Sequence, residues 1–154
     1  MITKIIKDAI LAGSADLVDA LTDLKDTYES HQDQYFQEAI PADAAAGTFE
    51  KTIFTAPYNC IVKEVKVVPD ADIGQETNYM VLDVQSKGAD GTGTTSLGSR
   101  NVNSANPIEG FVGVDLLTED TEVTEGHSLS LEKTVQGDGQ AFPGGLVLVK
   151  YEKA

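Results

Sequence analysis

The fold is decided by the stretch NYMVLDVQSKGADGTGTTSLGS, residues 78–99. Its first half alternates. Met80, Leu82 and Val84 share one side, the period-two pattern of a strand with a buried face. Its second half is rich in glycine, and a strand running into a glycine-rich turn opens many nucleotide-binding sites. A phosphate cradle of the Walker type, however, closes its glycine loop with Lys and Ser or Thr at the start of a helix. Gly88, Gly91, Gly93 and Gly98 fit neither that pattern nor GxGxxG, and the following LGSRNVNSANP is too dense in turn formers to be a helix. Without a helix N-terminus no aligned dipole holds the anion, and Asp90 would repel it. The stretch reads as a long hairpin.

Working outward, the same period recurs. FEKTIFTA (49–56), CIVKEVKVV (60–68), EGFVGVDLL (109–117), HSLSLEKTV (127–135) and GLVLVKYE (145–152) are further strand candidates, with weaker ones in TGTTSLGSR and TEVTE. They are rich in Val, Ile, Leu and Phe, residues that suit a pleated, half-buried surface. Turn signals separate them at Pro69-Asp70, Asn106-Pro107, Gly137-Asp138-Gly139 and Pro143-Gly144-Gly145. Strands at this spacing with no helix between them predict a mainly β fold, an antiparallel β-sandwich or jelly-roll-like domain over residues 47–154. Met80, Leu82, Val84 and Val112, Val114, Leu116 are expected to fill its core.

Residues 1–46 read differently, as a helical arm and linker. Ile2, Ile5, Ile6, Ala9 and Ile10 form one helical stripe. Gly13 suits a helix end and Ser14 a new cap. The second helix is expected from about Ala15 to the early thirties or beyond, with Pro41 as the outer limit of the helical period. Leu17, Leu21, Leu24, Tyr28, His31 and Tyr35 follow the 4-3-4-3-4 spacing of a coiled-coil seam. Two readings stand: a short bundle between subunits, or one amphipathic helix lying on its own domain.

Twenty-five acids against eleven bases give a formal charge of −14, with Arg100 the one arginine. Nucleic-acid binders neutralise phosphates with Lys and Arg, so no nucleic-acid partner and no anionic membrane surface is expected. The acids are spread along both regions, as on a solvated surface. One cysteine, Cys60, excludes an intrachain disulfide framework. MITKIIKDAILAG is too short and too charged for a secretory signal, and no apolar run approaches the ~20 residues of a bilayer span. Synthesis and folding in a cytosol are expected.

Reactive groups are sparse. Cys60 opens an apolar strand, where a lone cysteine is a small buried hydrophobe. His31 and His127 lie far apart in sequence, and zinc sites want three or four grouped ligands. Asp70, Asp72 and Glu76 around Gly74 misplace the glycine of an EF-hand loop, and no helices flank them. Glu119, Asp120, Glu122 and Glu125 read as a solvated edge, because acid–base work needs a perturbed carboxyl in a cleft. No catalytic residue, no metal site and no cofactor is expected.

The run TAPYNCIVKEVKVVPDADIGQETNYMVLDV resembles the small head proteins of tailed bacteriophages known as decoration, auxiliary or head-fibre proteins. The likeness rests on Ala56-Pro57-Tyr58, the Cys60 strand, the Pro69 turn and Thr77 to Tyr79. It continues through the GADGTGT hairpin, Val123, Gly126, Leu129 and Leu131, and the closing PGGLVLVKY. It covers about residues 48–154, with the helical arm outside it. The resemblance implies a non-enzymatic structural virion protein on the outside of a capsid, made in the host cytoplasm. It implies the major capsid protein as partner, self-association as a homotrimer, and clamping of neighbouring capsid subunits. On that reading the arm docks the capsid through Ile2, Ile5, Ile6 and Ile10, or trimerises through Leu17, Leu21, Leu24 and Tyr28. The alternative implied role is a receptor- or glycan-binding head spike or fibre tip.

Overall fold

The computed structural model describes residues 14–30, 32–74 and 79–154. These residues form one helix, α1 (Ser14–Ser30), and nine strands. These are β1 (Gln34–Ile40), β2 (Phe49–Thr55), β3 (Cys60–Pro69), β4 (Tyr79–Gly88), β5 (Thr95–Val102), β6 (Val114–Asp115), β7 (Thr121–Val123), β8 (Ser128–Gln136) and β9 (Gly145–Lys153). One sheet has the order β1-β9-β3-β6, with β7 also on β3; the other has the order β2-β8-β4-β5. All pairings are antiparallel. Two four-strand orders nested in this way make a jelly roll, and the expected mainly β sandwich with an N-terminal helix is what the chain forms.

The two inner faces meet in a dry core. Met80, Leu82 and Val84 of β4, Leu129 and Leu131 of β8, and Val65, Val67, Val147 and Val149 opposite them are all fully buried. Each such side chain stabilises the fold by roughly 1.5–3 kcal/mol relative to exposure. Phe54 links the sheets through rings, lying 4.9 Å from Tyr151 and edge-on to Phe36 at 5.9 Å. Gly98 marks where the sheets close most tightly, since a Cβ there would stand 1.9 Å from the Leu116 carbonyl oxygen.

Two expectations need correction. Residues 34–40 are not helical: β1 pairs with β9 along its whole length, from Gln34 opposite Tyr151 to Ile40 opposite Gly145. Tyr35 is therefore no seam position. The physical reason is that the free edge of β9 takes up the backbone hydrogen bonds of this segment. Ile40 is buried, Phe36 packs edge-on against Phe54 while remaining 39% exposed, and Glu38 reaches Lys51 of β2 at 2.8 Å to close the open edge of the sandwich. The sandwich thus takes in chain that the sequence reading assigned to the arm. Second, EGFVGVDLL yields only Val114–Asp115 as strand, and Val112 is 46% exposed instead of buried. The left-handed backbone at Phe111, φ 63°, turns the chain out of the sheet before it.

Jelly-roll winding sorts the loops by end. Residues 41–48, 70–74, 103–113 and 137–144 lie at the Pro69/Gly145 end; α1, the 56–59 and 89–94 turns and the C-terminus lie at the Cys60/Lys153 end. Charge pairing is thorough on the sheets. Lys51, Lys63, Lys66, Lys87, Lys133 and Lys150 each meet a carboxylate, which leaves the surface field to the surplus acids.

These pairs set a pH window. The Lys87 ammonium, then the Ser130 hydroxyl, hold the Glu50 carboxyl below its ordinary 4.5. A carboxyl depressed on folding adds stability that is complete above its unfolded value and is lost as pH falls through the folded one. Lys63, held up by Asp120 and Glu152, Lys66 by Glu64 and Lys150 by Asp33 all lie above their ordinary 10.5. Their contribution is complete below 10.5 and is lost as pH rises through the folded values. Urea midpoints are expected to hold level between about pH 5 and 8 and to fall on either side, the buried Cys60 thiol, raised above its ordinary 9.0, beginning the alkaline loss. A midpoint that climbs below pH 4 would contradict the assignment for Glu50.

Candidate interaction surface

The hairpin turn between β4 and β5 is built by its own hydrogen bonds. Gly93 N–H donates to the Lys87 carbonyl at 2.9 Å, and Thr92 N–H donates to Asp90 Oδ1 at 3.0 Å. That backbone N–H, then the Thr92 side chain, hold the Asp90 carboxyl below its ordinary range. Gly88 and Gly91 supply the positive φ the turn requires. The turn leads into β5, and its one cation, Lys87, is spent on Glu50. Its geometry is that of a turn and offers no phosphate cradle.

The other sequence candidates scatter. Cys60 is 1% exposed and burial pushes its thiol pKa up, the reverse of an activated nucleophile. Native protein is expected to react with a disulfide-exchange reagent far more slowly than denatured protein, by at least about a hundredfold. Stoichiometric labelling within seconds under native conditions would show Cys60 to be accessible. His127 sits in a turn, donating its N–H to the Thr124 carbonyl at 3.0 Å; His31 lies outside the described residues. Asp72 Oδ1 is occupied by Gly110 N–H at 2.7 Å, and Glu76 lies outside the described residues. Asp120 pairs with Lys63, and Glu119, Glu122 and Glu125 stay exposed. Among the described residues no group of three His, Cys, Asp or Glu is placed to hold a metal, and no helix is long and apolar enough to cross a membrane.

What the surface does carry is apolar. Val18, Leu21 and Tyr28 on α1 are 62%, 48% and 66% exposed. Leu21, Leu24 and Tyr28 line a groove of about 380 Å³ with Lys25 and Thr27. The helix touches the sandwich at β9 and keeps these side chains away from the core. Leu17 lies in α1, its side chain outside the description, and Ile2, Ile5, Ile6 and Ile10 lie outside the described residues. The second apolar feature was not read from the sequence. Phe111 is 78% exposed at the opposite end, where the only sequence signal is an aromatic between Gly110 and Gly113.

The loops around Phe111 form a cross-linked platform. Asp43 and Phe142 exchange backbone hydrogen bonds at 2.8 and 3.0 Å, and Ile73 and Ile108 do so at 2.9 Å. Gly74 N–H donates to Gln140 Oε1 at 2.9 Å, and Asp70 N–H to the Gly144 carbonyl at 2.9 Å. A surface held in this way loses little entropy when a partner binds.

No family model matches the chain, and no curated protein matches it. Among solved structures it is similar to a chain of infectious bursal disease virus Gx strain, with 14% identity, a TM-score of 0.38, and coverage of 81% of this chain and 33% of that one. It is also similar to the VP2 subviral particle of infectious bursal disease virus, with 14% identity, a TM-score of 0.34, and coverage of 80% and 38%. The chain spans between about a third and two fifths of the length of these two. At these values the likeness assigns it to no family.

Proposed function

We propose that this chain is a structural virion protein that decorates the outer surface of a bacteriophage capsid and clamps neighbouring capsid subunits, acting as a homotrimer. The observation that carries the reading is the apolar face of α1. An acidic jelly roll that buries its own core well still holds Val18, Leu21 and Tyr28 in water on a helix outside that core. Exposed apolar stripes of this kind mark contact with another chain. The seam spacing of Leu17, Leu21, Leu24 and Tyr28 suits copies of the same helix. The bacteriophage head-protein resemblance of residues 48–154 supplies the setting, with the major capsid protein as partner. Trimer avidity lets each sandwich contribute only a modest binding free energy.

Co-sedimentation with expanded shells of the virus that encodes the chain tests the reading. Bound protein should saturate at a fixed, high molar ratio to the major capsid protein. Binding to host cells with only a few copies per shell would instead support the head-spike role. Absence of both would end the reading.

A further inference from the structure

Phe111 is the one non-glycine residue with positive φ among the described residues. For a bulky side chain that backbone is a steric outlier, and such outliers persist only where the surroundings impose them. The surroundings do so here. Phe111 N–H donates to the Pro69 carbonyl at 2.8 Å, Gly110 N–H to Asp72 Oδ1 at 2.7 Å, and Val112 N–H to the Glu109 carbonyl at 3.2 Å. Gly110 lies so close to the neighbouring loop that a Cβ would stand 2.8 Å from Ala71 Cα. The outcome of this strain is an aromatic ring 78% in water beside a half-exposed Val112. Neither side chain serves the core.

The collar around the ring defines its partner. Asp70, Asp72 and Glu109 are exposed carboxylates on the same loops. Two bases lie by these loops: Lys66, its stem near Gly113, pairs with Glu64 at 2.6 Å, and Arg100 donates to the Pro107 carbonyl at 3.2 Å, which leaves the three carboxylates in excess. An acidic collar repels an anionic lipid surface. It also repels the groove of a second copy's α1, where Asp19, Asp23 and Asp26 flank Lys25. It suits an apolar protein pocket with a basic rim.

We propose that Phe111, with Val112, is a preformed anchor that seats in an apolar, basic-rimmed pocket on the capsid shell. The inference rests on the decoration reading and deepens it. It moves the shell contact from the arm to the opposite end of the sandwich, so that α1 joins the copies and the loop end grips the shell. Buried aromatic anchors in preformed loops dominate binding at such interfaces.

The test measures full-length protein binding to expanded shells, together with thermal melts. Phe111→Ala should weaken binding by at least about thirtyfold. Phe111→Gly should weaken it equally while melting no lower than wild type, because glycine takes φ 63° without strain. Glu109→Lys should slow association and flatten its salt dependence. Wild-type-like binding by Phe111→Ala overturns the anchor and leaves the decoration reading standing. A Phe111→Gly variant that melts several degrees lower makes Phe111 a packing residue and also overturns it. Phe111-dependent binding to phosphatidylcholine vesicles, with none to shells, replaces the protein pocket with a membrane. Wild-type protein that leaves shells bare removes the decoration reading and the anchor's partner together.

Discussion

Lys133→Met is expected to destabilise the protein by about 3–5 kcal/mol, the loss that follows from removing one partner of a buried charge pair. Lys133 lies on β8 opposite Leu82, in the layer of core side chains, and its side chain is 0% exposed. An ammonium carries three donors, and here all three are used. Nζ donates to Asp43 Oδ2 at 2.9 Å and to the carbonyls of Ala44 and Gly47 at 2.8 Å each. This single side chain therefore fastens the 43–47 loop to the core. Methionine replaces the stem but leaves a carboxylate and two carbonyls without that donor. The Asp43 carboxylate keeps 27% exposure, so water recovers part of its hydration and the loss should fall towards the lower figure. Urea unfolding measures the change, and a loss under about 1 kcal/mol would contradict a latch role. Amide exchange should quicken first at Gly47 and Asp43, whose N–H groups bond to Ala44 and Phe142.

The second large effect concerns association, not folding. Leu21→Asp combined with Tyr28→Asp should convert the proposed trimer to monomer by light scattering, with a rise of at least about a hundredfold in the dissociation constant. Burying the two side chains contributes up to about 6 kcal/mol per chain, and three added pairs of carboxylates would repel one another around the bundle axis. Both side chains are largely in water within one chain, so the melting temperature of the sandwich itself should shift little. A variant that stays trimeric would place the subunit contact elsewhere. A wild-type protein that is monomeric at every concentration would remove α1 from the assembly altogether.

Much of the fold was legible because strands with one buried face write their period into the sequence. Met80, Leu82 and Val84 alternate, and all three are fully buried. β1 was not legible, because QYFQEAI continues a heptad spacing and pairs its apolar residues instead of alternating them. Only the vacant edge of β9 makes it a strand. Lys133 was legible in principle. Leu129, Leu131 and Lys133 share one side of HSLSLEKTV, so alternation places an ammonium among leucines and demands a partner. Asp43, ninety residues away in sequence, is what the pattern cannot name. Phe111 lay beyond reach. Nothing in EGFVG distinguishes a strand from a strained turn until Pro69 and Asp72 fix the loop from outside. The turn at residues 87–93 shows the opposite case, where the glycine spacing alone was enough to read a hairpin.

If this chain works, as proposed, by touching other protein chains on a capsid exterior, electron cryo-microscopy of expanded shells saturated with the full-length protein will show the contacts. Three jelly rolls should be joined at a helical bundle that stands away from the shell, with Phe111 of each seated against the major capsid protein. Shells that stay bare at saturating protein, or jelly rolls bound singly with the 103–113 loop facing solvent, would contradict it.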